Sequence, residues 1–331
     1  MIDSLGRTID YLRISITDRC NLRCVYCTPR TAVRVSRAEI LSYEEILRIV
    51  HIMAELGIRK IKVTGGEPLL RRGAAGFIGA LKRTGGIEKV TITSNGILLD
   101  QHLGDLLRAG IDGINLSLDT LDGETFRRIS GICEAGGSAD AAFSNIRRFL
   151  DRSAHLDIPV KINCVPIRGI NDRELAAVAG LAKSGIFVRF IERMPLGCAA
   201  AHEGLSEREV FSILETAYGP LEPFLEKPGN GPAVYYSVTG FAGKLGFISP
   251  LSRNFCGSCN RLRLGSTGLL RPCIASPGGL DLRSLLRGAS GAGEASNGEL
   301  AQAIKALVLE KPEGHSFGKA AQTAEMFRIG G

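Results

Sequence analysis

The stretch LRISITDRCNLRCVYC, Leu12 to Cys27, decides how the rest of the chain is read. Its first part, LRISIT (12–17), is a β-rich run, and the cysteines Cys20, Cys24 and Cys27 follow on the loop that leaves it. Three thiolates at C-x3-C-x2-C spacing are enough to hold three irons of a cubane [4Fe–4S] cluster and leave the fourth iron open. An open coordination position is what separates a reactive metal centre from a structural one. The alternative is a zinc site of three cysteines completed by a histidine, but His51, His102, His155, His202 and His315 all lie away from this loop in sequence.

Outward from that stretch, β-rich runs alternate with helical periodicity as far as about Glu192. Ser42 and Glu45 form a capping box for a helix that buries Ile46, Ile49, Val50 and Met53 and stops at Gly57. Further strands are expected at Lys60–Thr64, Lys89–Thr93, Gly113–Ser117, Val160–Val165 and Phe187–Glu192, with helices between them such as Gln101–Ala109 and Asp172–Lys183. Six strands with helical crossovers imply an α/β fold with a parallel sheet. In such units ligands sit at the C-terminal ends of strands, and DRCNLRCVYC, TGGEP, TSNG, SLD and ERM all fall there. After about Arg193 the texture changes to a smaller α+β module. It has a capped helix from Ser206, strands within 233–239, 244–249 and 261–265, a Gly/Ala/Ser-rich loop at Arg287–Gly298 and a helix at Glu299–Glu310.

With 331 residues, 44% hydrophobic and 23% charged, the chain is ordinary globular material rather than disordered or collagen-like. The net charge of +7 is spread along the chain, which suits an anionic small molecule at least as well as nucleic acid. No apolar run reaches bilayer length and no signal peptide opens the sequence, so a cytoplasmic protein without membrane or nucleic-acid partners is expected. Of nine cysteines, three more cluster as Cys256-x2-Cys259-x13-Cys273, around a hairpin that turns at Ser266-Thr267-Gly268. A zinc ribbon is the alternative for this group, though such ribbons normally complete four ligands. Cys164 reads as core, Cys133 lies in a Gly-rich loop, and Cys198 is the one further thiol that could approach the second group.

C-x3-C-x2-C with Tyr26 before the last cysteine resembles the signature of radical S-adenosylmethionine (SAM) enzymes, and Gly65-Gly66-Glu67-Pro68 resembles their segment for the SAM amino group. The resemblance extends to one family within them, the GTP 3′,8-cyclases that open molybdenum cofactor biosynthesis. LRISITDRCNLRCVYC, KVTGGEPLLRR, TSNG, NLSLD, RFIERM, NFCGSCNRLRL and the terminal IGG occur in that family's order and spacing. It implies a partial (β/α)6 barrel over residues 1–193 and a C-terminal module, residues 194–331, with an auxiliary [4Fe–4S] cluster.

Carried over, Cys20, Cys24 and Cys27 match ligands of the SAM cluster, and Cys256, Cys259 and Cys273 those of the second. Tyr26, Gly66, Ser117 and Met194 match SAM positions. Arg13, Lys62, Thr93, Lys161, Arg189 and Arg261-Leu262-Arg263 match GTP positions, and Arg261, Arg263, Gly330 and Gly331 catalytic ones. Lys62 stands where the family commonly has Arg, which keeps charge but gives up bidentate phosphate geometry. Lys161 and Arg13 sit within apolar β runs, where an uncompensated charge is costly. The expected partners are GTP, an electron donor such as flavodoxin or ferredoxin, a downstream cyclic pyranopterin monophosphate synthase, and a second copy in a homodimer. Two alternatives stand beside this: a radical SAM enzyme that modifies a peptide, and a zinc-holding nucleic-acid module, the latter weakened by zero Trp and 6% aromatic residues.

Overall fold

The computed structural model describes residues 1–29, 31–132, 138–226, 228–288, 293–317 and 326. Its first half is a series of strand and helix units. β1 (Tyr11–Ser15) leads through the cysteine loop to α1 (Tyr43–Glu55), β2 (Lys60–Thr64) to α2 (Ala74–Lys82), and β3 (Lys89–Ser94) to α3 (Leu99–Arg108). β4 (Ile114–Ser117) is followed by α4 (Gly123–Ser130) and α5 (Ala139–Ser153), and β5 (Val160–Cys164), α6 (Leu175–Gly180) and β6 (Phe187–Ile191) complete the series. The capping box forms as expected: Glu45 N–H donates to Ser42 Oγ at 3.1 Å and Ser42 N–H to Glu45 Oε2 at 2.6 Å. Because a helix returns the chain before each new strand, β1 to β6 lie parallel in chain order.

The second half supplies α7 (Glu207–Tyr218), β7 (Glu222–Phe224), β8 (Val234–Ser237), β9 (Leu245–Ile248), β10 (Arg261–Leu264), β11 (Leu269–Arg271), β12 (Leu280–Asp281), α8 (Leu282–Arg287) and α9 (Asn297–Leu309). Among the described residues, its strands build no sheet of their own. β9 adds in parallel beside β6 and β10 in parallel beside β1, so the described strands form one sheet in the order β12-β11-β10-β1-β2-β3-β4-β5-β6-β9-β8-β7. The hairpin between β10 and β11 turns at Gly268, whose φ of 90° favours glycine.

A parallel sheet covered on both faces reads as continuous apolar runs, and these strands do not. Leu12, Ile14, Ile61, Val63, Val90, Ile92, Leu116, Ile162, Val188, Leu262 and Leu264 are buried in one core with helix residues such as Ile49, Phe77, Leu103 and Ile146. The residues between them are polar or basic and face a lumen on the other side.

Candidate active site

The period of two along a strand stacks the lumen side chains in two levels. Near the strands' C-terminal ends, Arg13, Thr93, Ser117, Asn163 and Ile191 line an upper chamber. Two residues earlier on the same five strands, Tyr11, Thr91, Asn115, Lys161 and Arg189 line a lower chamber, joined there by Lys62. Tyr26, Met194, Arg261, Arg263 and the cysteines Cys256, Cys259 and Cys273 complete the upper level.

The first cysteine loop is fixed on three sides. Arg23 and Val25 donate to Ser130 O and Ile129 O at 2.7 and 3.0 Å, tying it to the end of α4. Glu67 N–H donates to Arg19 O at 2.7 Å, and Gly66 packs so tightly that a Cβ there would lie 2.3 Å from that same carbonyl. The fully buried Glu67 carboxylate accepts from Leu69 N–H, Ser94 Oγ and Asn95 N–H, joining the TGGEP loop to the TSNG loop, and burial pushes its pKa up to about 7. Asn95 Nδ2 in turn donates to Cys20 Sγ at 3.7 Å. Burial, then neighbouring anionic groups, push Cys20 up to about 11 and Cys27 up to about 12. Such thiols ionise by finding a cation, as metal ligands do.

Tyr26 carries the loop into the upper chamber, where its hydroxyl donates to Asp119 Oδ2 at 2.6 Å. Asp119 Oδ1 accepts from Val165 N–H at 2.8 Å, and burial raises this carboxyl to about 6. The rim motifs SLD and ERM contain Asp119 and Glu192, but the sequence alone marks only Ser117 and Met194 within them; the parts of Asp119, Glu192 and Asn163 emerge in the fold. Glu192 accepts from Leu251 N–H, Ser252 N–H and Ser252 Oγ, anchoring the start of the segment that bears Cys256 and Cys259.

In the second triad, Arg261 and Lys311 overcome the burial that would raise Cys259 and bring its thiol down to about 7. Each thiol of a triad is near enough to its fellows to oppose their ionisation in Cys24 and Cys256. Among the described residues, no three His, Cys, Asp or Glu side chains converge closely enough for a single metal ion, as ligands spread over three irons of a cluster need not.

The lower chamber concentrates positive charge. Burial, then Arg189, Arg13, Lys161 and Arg261, push the Lys62 ammonium well below its ordinary range, while burial and Arg189 bring Lys161 down to about 8. Thr93 Oγ1, Asn163 Oδ1 and Arg189 Nε are buried without a hydrogen-bond partner among the described residues. Orphaned polar atoms and crowded cations in one lumen fit a polar, multiply anionic ligand.

Lys62, Lys161 and Arg189 thus lie together below, and Arg13, Thr93, Ser117, Met194, Arg261 and Arg263 above. The Leu262 side chain points away into the core. Cys164 is buried in that core as expected, and Cys198 lies beside Cys27 of the first triad rather than beside the second. Gly330, Gly331 and Cys133 lie outside the described residues, but Met326 lines the upper chamber.

Residues 14–182 match the family model described as the radical SAM superfamily, and residues 186–317 the one described as Molybdenum Cofactor Synthesis C. The GTP 3′,8-cyclase of Desulforamulus reducens is 41% identical over 95% of both chains, and that of Thermodesulfovibrio yellowstonii 44% identical over 96% of both. The GTP 3′,8-cyclase of Pelotomaculum thermopropionicum is 40% identical over the whole of each. Among solved structures, Streptococcus suis SuiB bound to S-adenosylmethionine aligns with a TM-score of 0.59 at 15% identity, a likeness of fold. It covers 81% of this chain, which spans only 61% of SuiB.

Proposed function

The chain belongs to the radical SAM superfamily and, along nearly its whole length, to the GTP 3′,8-cyclase family, and from that premise we propose that it converts GTP to 3′,8-cyclo-7,8-dihydro-GTP, the first step of molybdenum cofactor biosynthesis. The observation that carries this is the stacking of a cysteine-lined chamber on a strongly basic one within a single lumen. Cys20, Cys24 and Cys27 are assigned to one [4Fe–4S] cluster and Cys256, Cys259 and Cys273 to a second. When bound, the clusters and SAM would supply the radical chemistry: a 5′-deoxyadenosyl radical to take hydrogen from C3′ of the GTP ribose for bonding to guanine C8, and one further electron which, with a proton, would complete the dihydro product.

The chain's own residues position and enclose. Lys62, Lys161 and Arg189 grip the triphosphate below, and Arg13, Thr93 and the Arg261-Leu262-Arg263 segment hold the nucleoside end, Leu262 through its backbone. Tyr26, Gly66, Ser117 and Met194 surround SAM, with Asp119 fixing Tyr26. Holding the ribose against the adenosyl group is a proximity task, and a rigid strand scaffold suits it. Gly330 and Gly331 are assigned a catalytic part from the resemblance to the family, and Met326 lines the upper chamber.

The proposal extends to a division of the chain at residues 193 and 194, a flavodoxin or ferredoxin as electron donor, a cyclic pyranopterin monophosphate synthase downstream, a homodimer, and a cytoplasmic setting. No helix among the described residues is long and apolar enough to cross a membrane. The peptide-modifying alternative loses ground to the full-length match with cyclases. Anaerobic reconstitution with GTP, SAM and dithionite tests the reading: 5′-deoxyadenosine and the cyclised nucleotide form together, whereas deoxyadenosine released regardless of GTP contradicts it.

A further inference from the structure

Two further cations hold the backbone around the second cysteine triad. Lys311, just past α9, is 4% exposed, and its ammonium donates to the carbonyls of Arg261 at 2.9 Å and Pro272 at 2.5 Å. Arg261 follows Cys259 by two residues, and Pro272 immediately precedes Cys273. Arg7 ties the third cysteine: its Nη1 donates to Cys256 O at 2.9 Å, and its Nη2 to Lys311 O at 3.1 Å and Pro312 O at 2.9 Å. Through this pair, the N-terminal segment and the segment after α9 grip every stretch that bears a triad cysteine.

The two cations differ in how their charge is met. Arg7 pairs with Asp3, Nε to Oδ2 at 2.6 Å. Among the described residues Lys311 has two carbonyls as hydrogen-bond partners, and it lies close enough to Cys259 and Cys273 to interact electrostatically with both. A buried ammonium is costly unless anions compensate it, and the thiolates of the triad are such anions.

We propose that Lys311 is a positioning residue of the second triad: it clamps the backbone at both feet of the hairpin between Cys259 and Cys273 and sets a fixed positive charge beside a cluster held there. The inference rests on assigning a [4Fe–4S] cluster to that triad. Reduction adds one negative charge to an already anionic cluster, so an adjacent cation favours the reduced form and makes the potential less negative. A neutral side chain of similar length loses both the clamp and the charge.

Lys311→Met and Lys311→Arg, placed in a full chain whose Cys20, Cys24 and Cys27 are replaced by Ala, let the remaining iron report the second triad alone. Iron and acid-labile sulfide are counted after anaerobic reconstitution, and the midpoint potential is read by EPR during a dithionite titration. Lys311→Met is expected to lose at least half of this iron or, where iron is retained, to move the midpoint to a more negative value; Lys311→Arg recovers most of both. With Cys256, Cys259 and Cys273 replaced instead, Lys311→Met leaves the first triad's iron intact. Unchanged iron with an unchanged midpoint overturns the proposal, and so does equal loss from both triads, which makes Lys311 a residue of the general fold. A parent protein that holds zinc without labile sulfide overturns the cluster assignment itself and the proposal with it.

Discussion

Tyr26 and Asp119, 93 residues apart, meet through a 2.6 Å hydrogen bond that joins the first cysteine loop to the end of β4 at the wall of the upper chamber. Removing either partner leaves a buried polar group unsatisfied, at about 1–3 kcal/mol. Tyr26→Phe and Asp119→Ala are each expected to weaken SAM binding roughly tenfold, about 1.4 kcal/mol. Equilibrium dialysis of the reconstituted protein measures this, and wild-type affinity in both variants contradicts the assigned role.

Gly66 and Gly76 make opposite predictions for the same change. A Cβ on Gly66 meets the Arg19 carbonyl at 2.3 Å, whereas one on Gly76, inside α2, meets nothing among the described residues within 4 Å. Gly66→Ala should destabilise the chain by about 1–3 kcal/mol and shed first-triad iron. Gly76→Ala should stabilise it by about 0.5–1 kcal/mol. Thermal melts with an iron count separate the two.

GTP binding should take up protons. Lys161 is held down to about 8 and Lys62 well below its ordinary range, because burial and then the surrounding cations disfavour their charged forms. A triphosphate raises both, so above about pH 8 binding must recruit protons and affinity falls as pH rises; below Lys161's free value that lysine is already charged and its share of the dependence flattens. Calorimetry at pH 8 in two buffers of different ionisation heat reads the uptake directly. Lys62→Met should reduce the uptake and weaken GTP binding by about 1–3 kcal/mol.

Replacing Cys256, Cys259 and Cys273 together with Ala should remove about half of the iron, in keeping with two equal clusters. Reductive SAM cleavage should persist in that variant while nucleotide cyclisation stops. Loss of all iron, or none, contradicts two independent centres.

The parallel core was legible because local rules agree there. The capping boxes at Ser42 and Ser206, the β-rich runs from Leu12 to Ile191 and the cysteine spacings are all near-neighbour patterns. The placing of β9 and β10 on opposite sides of the β1–β6 series was not legible, since nothing within LGFI or RLRL specifies a partner some 60 or 250 residues away. For the same reason the sequence pointed to Arg13, Lys62 and Lys161 singly without showing that Arg13 stands in the level above the two lysines. Asp119 and Lys311 escaped because their work is done through contacts with Tyr26, Arg261 and Pro272 that only the folded chain creates.

The most direct test follows one hydrogen atom. GTP deuterated at C3′ is turned over anaerobically by the reconstituted protein with SAM and a reductant, and the 5′-deoxyadenosine is weighed by mass spectrometry. Deoxyadenosine carrying one deuterium, in step with cyclised nucleotide, is the expected result. Unlabelled deoxyadenosine accumulating beside unchanged GTP would contradict it.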